Sequence, residues 1–233
     1  MSTQLENLDF AAMDAAEEGS RLYSREEEWL MQRWGKFTAS EMHRLMASTG
    51  KNGELSKGAV TYTQEKAVEI CTDFSPDFFV SFDMQWGIDH ELEAVERFEA
   101  ETLIRCKATG EDQVFLESAC GNWGGTPDGI AVLNNTGVEI KCPKSLTHLK
   151  YMDITDAQDL KLVNPNYYWQ CQALMQLQGV DCWKFVSYDP RYTKPANQIH
   201  IVDICPVASD VELMLERIDM AVTLRNRIVE GLS

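Results

Sequence analysis

Two short runs, 128–133 and 138–142, separated only by Asn134-Asn135-Thr136-Gly137, constrain this chain more than any other feature in it. Asn and Gly tolerate the left-handed backbone of a tight turn, so the segment is predicted to be a β-hairpin. With Leu133 set opposite Val138, Val132 faces Glu139 and Ile130 faces Lys141. Side chains alternate across a strand, so Asp128, Ile130 and Val132 share a face with Glu139 and Lys141. Val138, Ile140 and Cys142 then point the other way, into a core. Three charged groups, Asp128, Glu139 and Lys141, converge at one end of one sheet face.

Two carboxylates a few ångströms apart repel, and at neutral pH they need a cation between them. Oxygen ligands without nearby His or Cys select magnesium or manganese over zinc. An adjacent lysine has the chemistry to orient or activate a water, or to stabilise a pentavalent phosphate. On spacing alone, an ordinary surface hairpin with a cross-strand salt bridge is the stronger reading of the same residues.

Around the hairpin the patterning predicts an α/β domain, a central mixed β-sheet flanked by α-helices. Residues 87–104 read as an amphipathic helix with Ile88, Leu92, Val95 and Phe98 on one stripe. Glu91 falls on that stripe, where an acid is costly unless something pairs with it. Glu99 competes for that role, whereas Glu93 and Glu96 read as solvated. Ser24 with Glu27, Thr38 with Glu41, and Ser209 with Glu212 read as capping boxes. The stretch 50–58 reads as a loop before a helix at about 61–72. Asn164-Pro165 opens a helix that runs to Gln178 and closes on Gly179. Strands are expected at 113–117, 182–188 and 198–203. Residues 1–23 read as a mobile acidic lead-in and 24–233 as a single domain.

Composition narrows the class. The formal charge of −16 argues against a protein that coats DNA through a basic surface, though not against a DNA enzyme with positive charge confined to a cleft. Arg33, Lys36, Arg44, Lys51, Lys57 and Lys66 outnumber the acids of their segment, Glu41, Glu54 and Glu65, which hints at charge polarity. Seven cysteines without a C-x-x-C pair fit reduced core residues better than a zinc or iron–sulfur site. No apolar run reaches the ~20 residues of a membrane span, and no signal peptide is legible. The expectation is a cytoplasmic protein with no membrane attachment.

Asp128 sits in Gly124-Gly125-Thr126-Pro127-Asp128-Gly129, and Glu139 and Lys141 in Val138-Glu139-Ile140-Lys141-Cys142-Pro143. Together they read P-D-x10-E-x-K, which resembles the signature of the PD-(D/E)xK nucleases. Further segments follow in order: Arg33-Trp34-Gly35 with Thr38-Ala39-Ser40, Trp86-Gly87 with Glu91, Tyr167 with Gln170 and Gln172, and Tyr188-Asp189-Pro190-Arg191. This ordered set resembles the lambda exonuclease family of phage recombination nucleases, from about residue 29 to 191.

The resemblance implies roles residue by residue. Asp128, Glu139, the carbonyl of Ile140 and Glu91 would hold two Mg2+ ions, for which Mn2+ may substitute. Lys141 would be the catalytic lysine and Gln170 a polar active-site residue. Arg33, Ser40 and Thr126 would form a pocket for a 5′-phosphate, a task that suits the planar fork of Arg. Glu117 is a doubtful counterpart of a further family acid, and Met84 resembles an apolar wedge, with a core methionine the equal alternative. The implied activity is 5′-to-3′ degradation of one strand from the ends of double-stranded DNA, giving mononucleotides and a 3′ overhang. The implied partners are two further copies in a homotrimer ring and a phage single-strand annealing protein, within a bacterial host cell. Two rivals stand beside this reading. One is a PD-(D/E)xK endonuclease or repair nuclease. The other is a non-catalytic single-strand-binding protein, which would favour a basic groove interleaved with aromatics.

Overall fold

A computed structural model describes residues 25–47, 53–72, 81–134 and 136–232. The acidic lead-in, Ser24, Lys51 and the turn residue Asn135 lie outside them. The chain divides after Arg33 into two units. In the first, helix α1 (Arg25–Arg33) ends with the Arg33 guanidinium donating to the Trp29 carbonyl at 3.0 Å and lying over the Trp29 ring.

The second unit, from Trp34 onward, holds two sheets. Strands β1 (Phe37–Thr38), β4 (Trp123–Gly125) and β3 (Leu116–Glu117) form a small ribbon in the order β1-β4-β3. The larger sheet runs β2 (Cys106–Lys107), β5 (Gly129–Ala131), β6 (Gly137–Lys141), β7 (Trp183–Tyr188) and β8 (Ile199–Ile204). Only β6 and β7 pair in parallel there, so the sheet is mixed. Helices α2 (His43–Met46), α3 (Lys57–Cys71), α4 (Phe82–Thr102), α5 (Ser145–Tyr151), α6 (Ala157–Val163), α7 (Pro165–Gln178) and α8 (Ala208–Leu232) surround it.

Two cores lie on opposite faces of the large sheet. Tyr168, Cys171, Leu174 and Met175 of α7 pack with Trp183, Phe185, Met214 and Ile218 on one side. Ala94, Val95 and Phe98 of α4 pack with Val138, Ile140, Cys142 and Val186 on the other. Alternation along β6 explains the split, since Val138 and Ile140 turn to α4 while Glu139 and Lys141 turn to α7. Gly137 pairs with Trp183, and a Cβ at that position would fall inside the indole ring.

Several sequence expectations need correction. The hairpin is paired with Gly129 opposite Val138 and Ile130 opposite Gly137, not with Leu133 opposite Val138. Val132 and Leu133 are exposed in the connection instead, where Val132 N–H bonds to the Arg105 carbonyl. The slip is an even number of residues, so every side chain keeps its expected face. The apolar stripe of α4 is buried at Val95 and Phe98 but exposed at Ile88 and Leu92. Thr38 belongs to β1 and makes no capping bond, and Ser209 lies inside α8. Helix α3 starts at Lys57, capped by Ser56 accepting from Ala59 N–H. The Asn164 cap and Gly179 stop of α7 stand where expected, with Gly179 at φ +69°.

Candidate active site

The Asp128–Lys141 end of the hairpin gathers charge where the fold offers little water. Asp128 N–H bonds to the Val138 carbonyl, which extends the β5–β6 ladder and sets Asp128 beside Glu139. One Asp128 carboxylate oxygen accepts the Ile140 N–H at 2.6 Å. Glu139 is wholly buried on β6, and the Lys141 ammonium lies against its Oε1 and 3.9 Å from Asp128 Oδ2. Neither Glu139 oxygen has a hydrogen bond of proper geometry among the described residues. Burial, reinforced by the Asp128 charge, pushes Glu139 up to about 8. Burial also raises Asp128, against the opposing pull of Lys141 and the Ile140 N–H. Lys141 would be lowered by burial alone, but Glu139 and Asp128 outweigh it and hold the ammonium well above its usual range.

Helix α4 brings Glu91 to the same end of the sheet. Its carboxylate accepts from Gln113 Nε2 at 2.7 Å, and burial followed by the Asp128 charge raises it to about 7. Three carboxylates thus share one region with one ammonium. Among the described residues no three His, Cys, Asp or Glu side chains stand close enough to enclose an ion unchanged. Lys141 supplies the positive charge between Asp128 and Glu139. The donor set is all oxygen, with Glu139 Oε2 buried and lacking a hydrogen bond, and such a set fits a hard divalent cation.

From the opposite side α7 contributes Tyr167, whose ring centroid lies 4.9 Å from the Lys141 ammonium, and Gln170 is buried on the same helix. Sequence reasoning placed Tyr167 in a motif but not in the site, and it overlooked Gln113. The signal for Tyr167 was its place one helical turn before Gln170. Gln172 has a different task. It donates to the Cys205 carbonyl and accepts from Val207 N–H, fixing the entry to α8.

Ser40 and Thr126 lie beyond the ends of β1 and β4, which pair in parallel with Thr38 beside Gly124, so they leave the ribbon at the same end. Gly125 permits this approach, since a Cβ there would strike the Ala39 side chain. Ser40 is exposed, and Thr38 Oγ1 stands 3.4 Å from its hydroxyl. Arg33 belongs to the N-terminal unit and is described there. Glu117 pairs with Lys36 at 2.9 Å. Met84 is 42% exposed near the start of α4, which removes the core alternative. The expected charge polarity of 33–66 is largely cancelled locally, by Lys36–Glu117, Arg44–Glu65 and Lys66–Glu69 pairs. A cavity of ≈ 660 Å³ lies between α3 and α8, and its lining contains none of these residues. Its lining carries three acids, Glu54, Glu216 and Asp219, against one cation, Arg227, a balance that disfavours a phosphate.

Residues 28–181 match the YqaJ-like viral recombinase domain. The chain belongs to that family. Among solved structures, the alkaline exonuclease LHK-Exo of Laribacter hongkongensis is 24% identical with a TM-score of 0.71, over 88% of this chain and 95% of that one. The same enzyme in complex with dAMP gives 0.72 at the same identity. A phage-related exonuclease from Haemophilus somnus 129PT is 16% identical with a TM-score of 0.69, over 85% of this chain and 96% of that one. No curated protein matches. Family and fold agree with the resemblance drawn from the motifs: the chain carries a viral recombinase domain in the fold of the alkaline and phage-related exonucleases. No helix among the described residues is long and apolar enough to cross a membrane.

Proposed function

We propose that this chain is a magnesium-dependent exonuclease that degrades one strand of linear double-stranded DNA, 5′ to 3′, from a 5′-phosphorylated end. The observation that carries the reading is Glu139: a fully buried carboxylate with no proper hydrogen bond, beside Asp128 and against Lys141. Lys141 covers Oε1 alone, whereas a purely structural arrangement would satisfy Oε2 as well, the oxygen a metal ligand must keep available. Asp128, Glu139, Glu91 and the Ile140 carbonyl would hold Mg2+, or Mn2+ in its place. When bound, the metal neutralises the carboxylates and stabilises charge developing on the scissile phosphate.

The chain's own residues do the rest. Lys141, kept charged by its two acids, orients the attacking water and faces the developing phosphate charge. Tyr167 confines the lysine from the α7 side, and Gln170 would be a further polar residue of the site. The Ile140 N–H fixes one Asp128 oxygen and so sets the orientation of the carboxylate beside Glu139. Arg33, Ser40 and Thr126 capture the terminal 5′-phosphate, which gives the direction of travel. The structural neighbour's description as an alkaline exonuclease suits groups that lose their protons at about 7 and about 8.

The product, a 3′ overhang, suits a partner that anneals single strands. A ring of three copies enclosing the duplex would reconcile a charge of −16 with a polyanionic substrate, because enclosure retains DNA without an adhesive surface. The deciding experiment uses linear duplexes labelled at either strand end, with and without 5′-phosphate, beside covalently closed circles, in Mg2+ and in chelator. Release of 5′-terminal mononucleotides only from linear, phosphorylated, Mg2+-containing samples is expected. Cutting of closed circles would replace this reading with the endonuclease alternative, and activity in chelator would end both. Arg33→Ala should narrow the preference for phosphorylated ends, since charge-assisted bonds are worth about 1.5–3 kcal/mol each.

A further inference from the structure

The turn that follows β7, Tyr188-Asp189-Pro190-Arg191, contributes no group to the metal or phosphate sites described above, yet it touches both elements that carry them. Tyr188 donates its hydroxyl hydrogen to Glu93 on α4 at 2.7 Å, two residues beyond Glu91. Arg191 lies over the ring of Trp86, on the same helix and five residues before Glu91, at 4.4 Å from the centroid. The same guanidinium donates to the Pro143 carbonyl at 2.7 Å, two residues past Lys141. One side chain therefore spans the helix of Glu91 and the exit of the strand that carries Glu139 and Lys141.

The turn is built to be stiff. Asp189 is fully buried, and its Oδ1 accepts both the Arg191 backbone N–H at 3.0 Å and the Arg191 Nε–H at 2.6 Å. Asp189 N–H bonds to the Gln198 carbonyl, and Gln198 Nε2 donates to the carbonyls of Pro190 and Tyr192. This network fixes Arg191 from behind, while its planar fork leaves one edge for Pro143 and one face for Trp86.

We propose that the Tyr188–Arg191 turn is a clamp that sets the helix of Glu91 against the strand of Glu139 and Lys141, with Arg191 as its central positioning residue. The inference rests on the proposed metal-dependent cleavage, because Glu91 can join Asp128 and Glu139 at one metal centre only if their spacing is held. Arg191 touches none of the three acids in this structure, so it acts through the backbone elements it joins. Lysine in its place keeps the charge but cannot bond Asp189 and Pro143 together while stacking on Trp86.

The experiment compares wild type with Arg191→Ala, Arg191→Lys and Tyr188→Phe on linear duplex, well below each melting temperature, and measures Mn2+ binding by calorimetry. For Arg191→Ala we expect kcat to fall more than about tenfold, KM for DNA to stay within about threefold, and Mn2+ binding to weaken at least about fivefold. Arg191→Lys should recover less than half of the loss on a logarithmic scale. Tyr188→Phe, which removes one hydroxyl and should fold in any case, should shift both readouts the same way by a smaller factor. A loss confined to KM would make Arg191 a DNA contact and overturn the clamp. Unchanged kcat and Mn2+ affinity in both Arg191→Ala and Tyr188→Phe would overturn it as well, as would unchanged values in Tyr188→Phe should Arg191→Ala not fold. A wild type that binds Mn2+ but does not cut would sink the nuclease reading, and the calorimetric arm would still decide the clamp.

Discussion

Two polar clusters of this chain look alike in composition and differ in how deeply they are buried and how completely they are satisfied. Where α6, α7 and α8 meet, Asp210 accepts from both Lys161 and the Tyr168 hydroxyl at 2.5 Å. Burial would raise Asp210, but those two donors outweigh it and hold the carboxyl below its usual range. At the hairpin, Glu139 is buried as deeply as any residue of the core, lacks a proper hydrogen bond, and is pushed up to about 8. The first cluster stabilises the fold. The second gathers acids whose charge is offset by Lys141 alone, an arrangement that a bound cation would relieve. A half-buried acid with both its donors in place is architecture, and a fully buried one served by a single lysine is a candidate place for chemistry.

The largest test of that contrast is removal of the hairpin groups. Asp128→Asn, Glu139→Gln and Lys141→Ala should each lower kcat by roughly a thousandfold while circular dichroism stays near wild type. Near-normal turnover in Lys141→Ala would dissolve the difference between the clusters. Next comes helix α4, where Glu91→Ala should cost roughly a hundredfold, as loss of one preorganised group does. Glu93→Ala, which loses only its bonds to Tyr188 and His90, should cost less than about tenfold. Equal losses at the two positions would remove Glu91 from the site.

The pH response should separate the clusters more finely. Glu91 and Glu139 are raised to about 7 and about 8, so the folded, metal-free protein holds these protons longer than the unfolded chain does. Their contribution to stability is therefore lost as pH climbs from the usual carboxylate value of 4.5 towards about 8. Metal must displace the same protons, so Mn2+ affinity by calorimetry should tighten by roughly tenfold or more between about pH 6 and about pH 8. A flat affinity over that range would show that neither acid meets the ion. Asp210 behaves oppositely, since its contribution is present at neutral pH and is lost only on acidification through its depressed value. The smallest effect on activity belongs there. Asp210→Asn should cost about 1–3 kcal/mol of stability, read from denaturant unfolding, with kcat unchanged.

The hairpin face was legible because a strand has a period of two, and that parity survives an even error in register. Asp128, Glu139 and Lys141 were thus brought together by reasoning that mispaired the hairpin. The same logic was less forgiving on α4, where the helical period located Glu91 but assigned Ile88 and Leu92 to a core that begins only at Ala94. Strands of two or three residues, such as β1, β2 and β4, are too short to show any periodicity, and the ribbon that aligns Ser40 with Thr126 was invisible for that reason. Gln113 was missed because its contact with Glu91 spans 22 positions and leaves no local pattern. Glu117 was ambiguous in the sequence, and the ion pair with Lys36 accounts for its charge.

Gly137 carries a consequence for how such a chain can diverge. Its pairing partner Trp183 fills the space where a side chain would stand, so β6 can dock on β7 only with a bare residue at that position. Sliding β6 along its neighbour would bring a bulkier residue under the indole. The glycine therefore works as a mechanical stop for the strand that bears Glu139 and Lys141. A lineage is free to lengthen or rebuild the exposed hairpin tip around Leu133, but the spacing from the vacant position to the acid and the lysine is inherited as one piece.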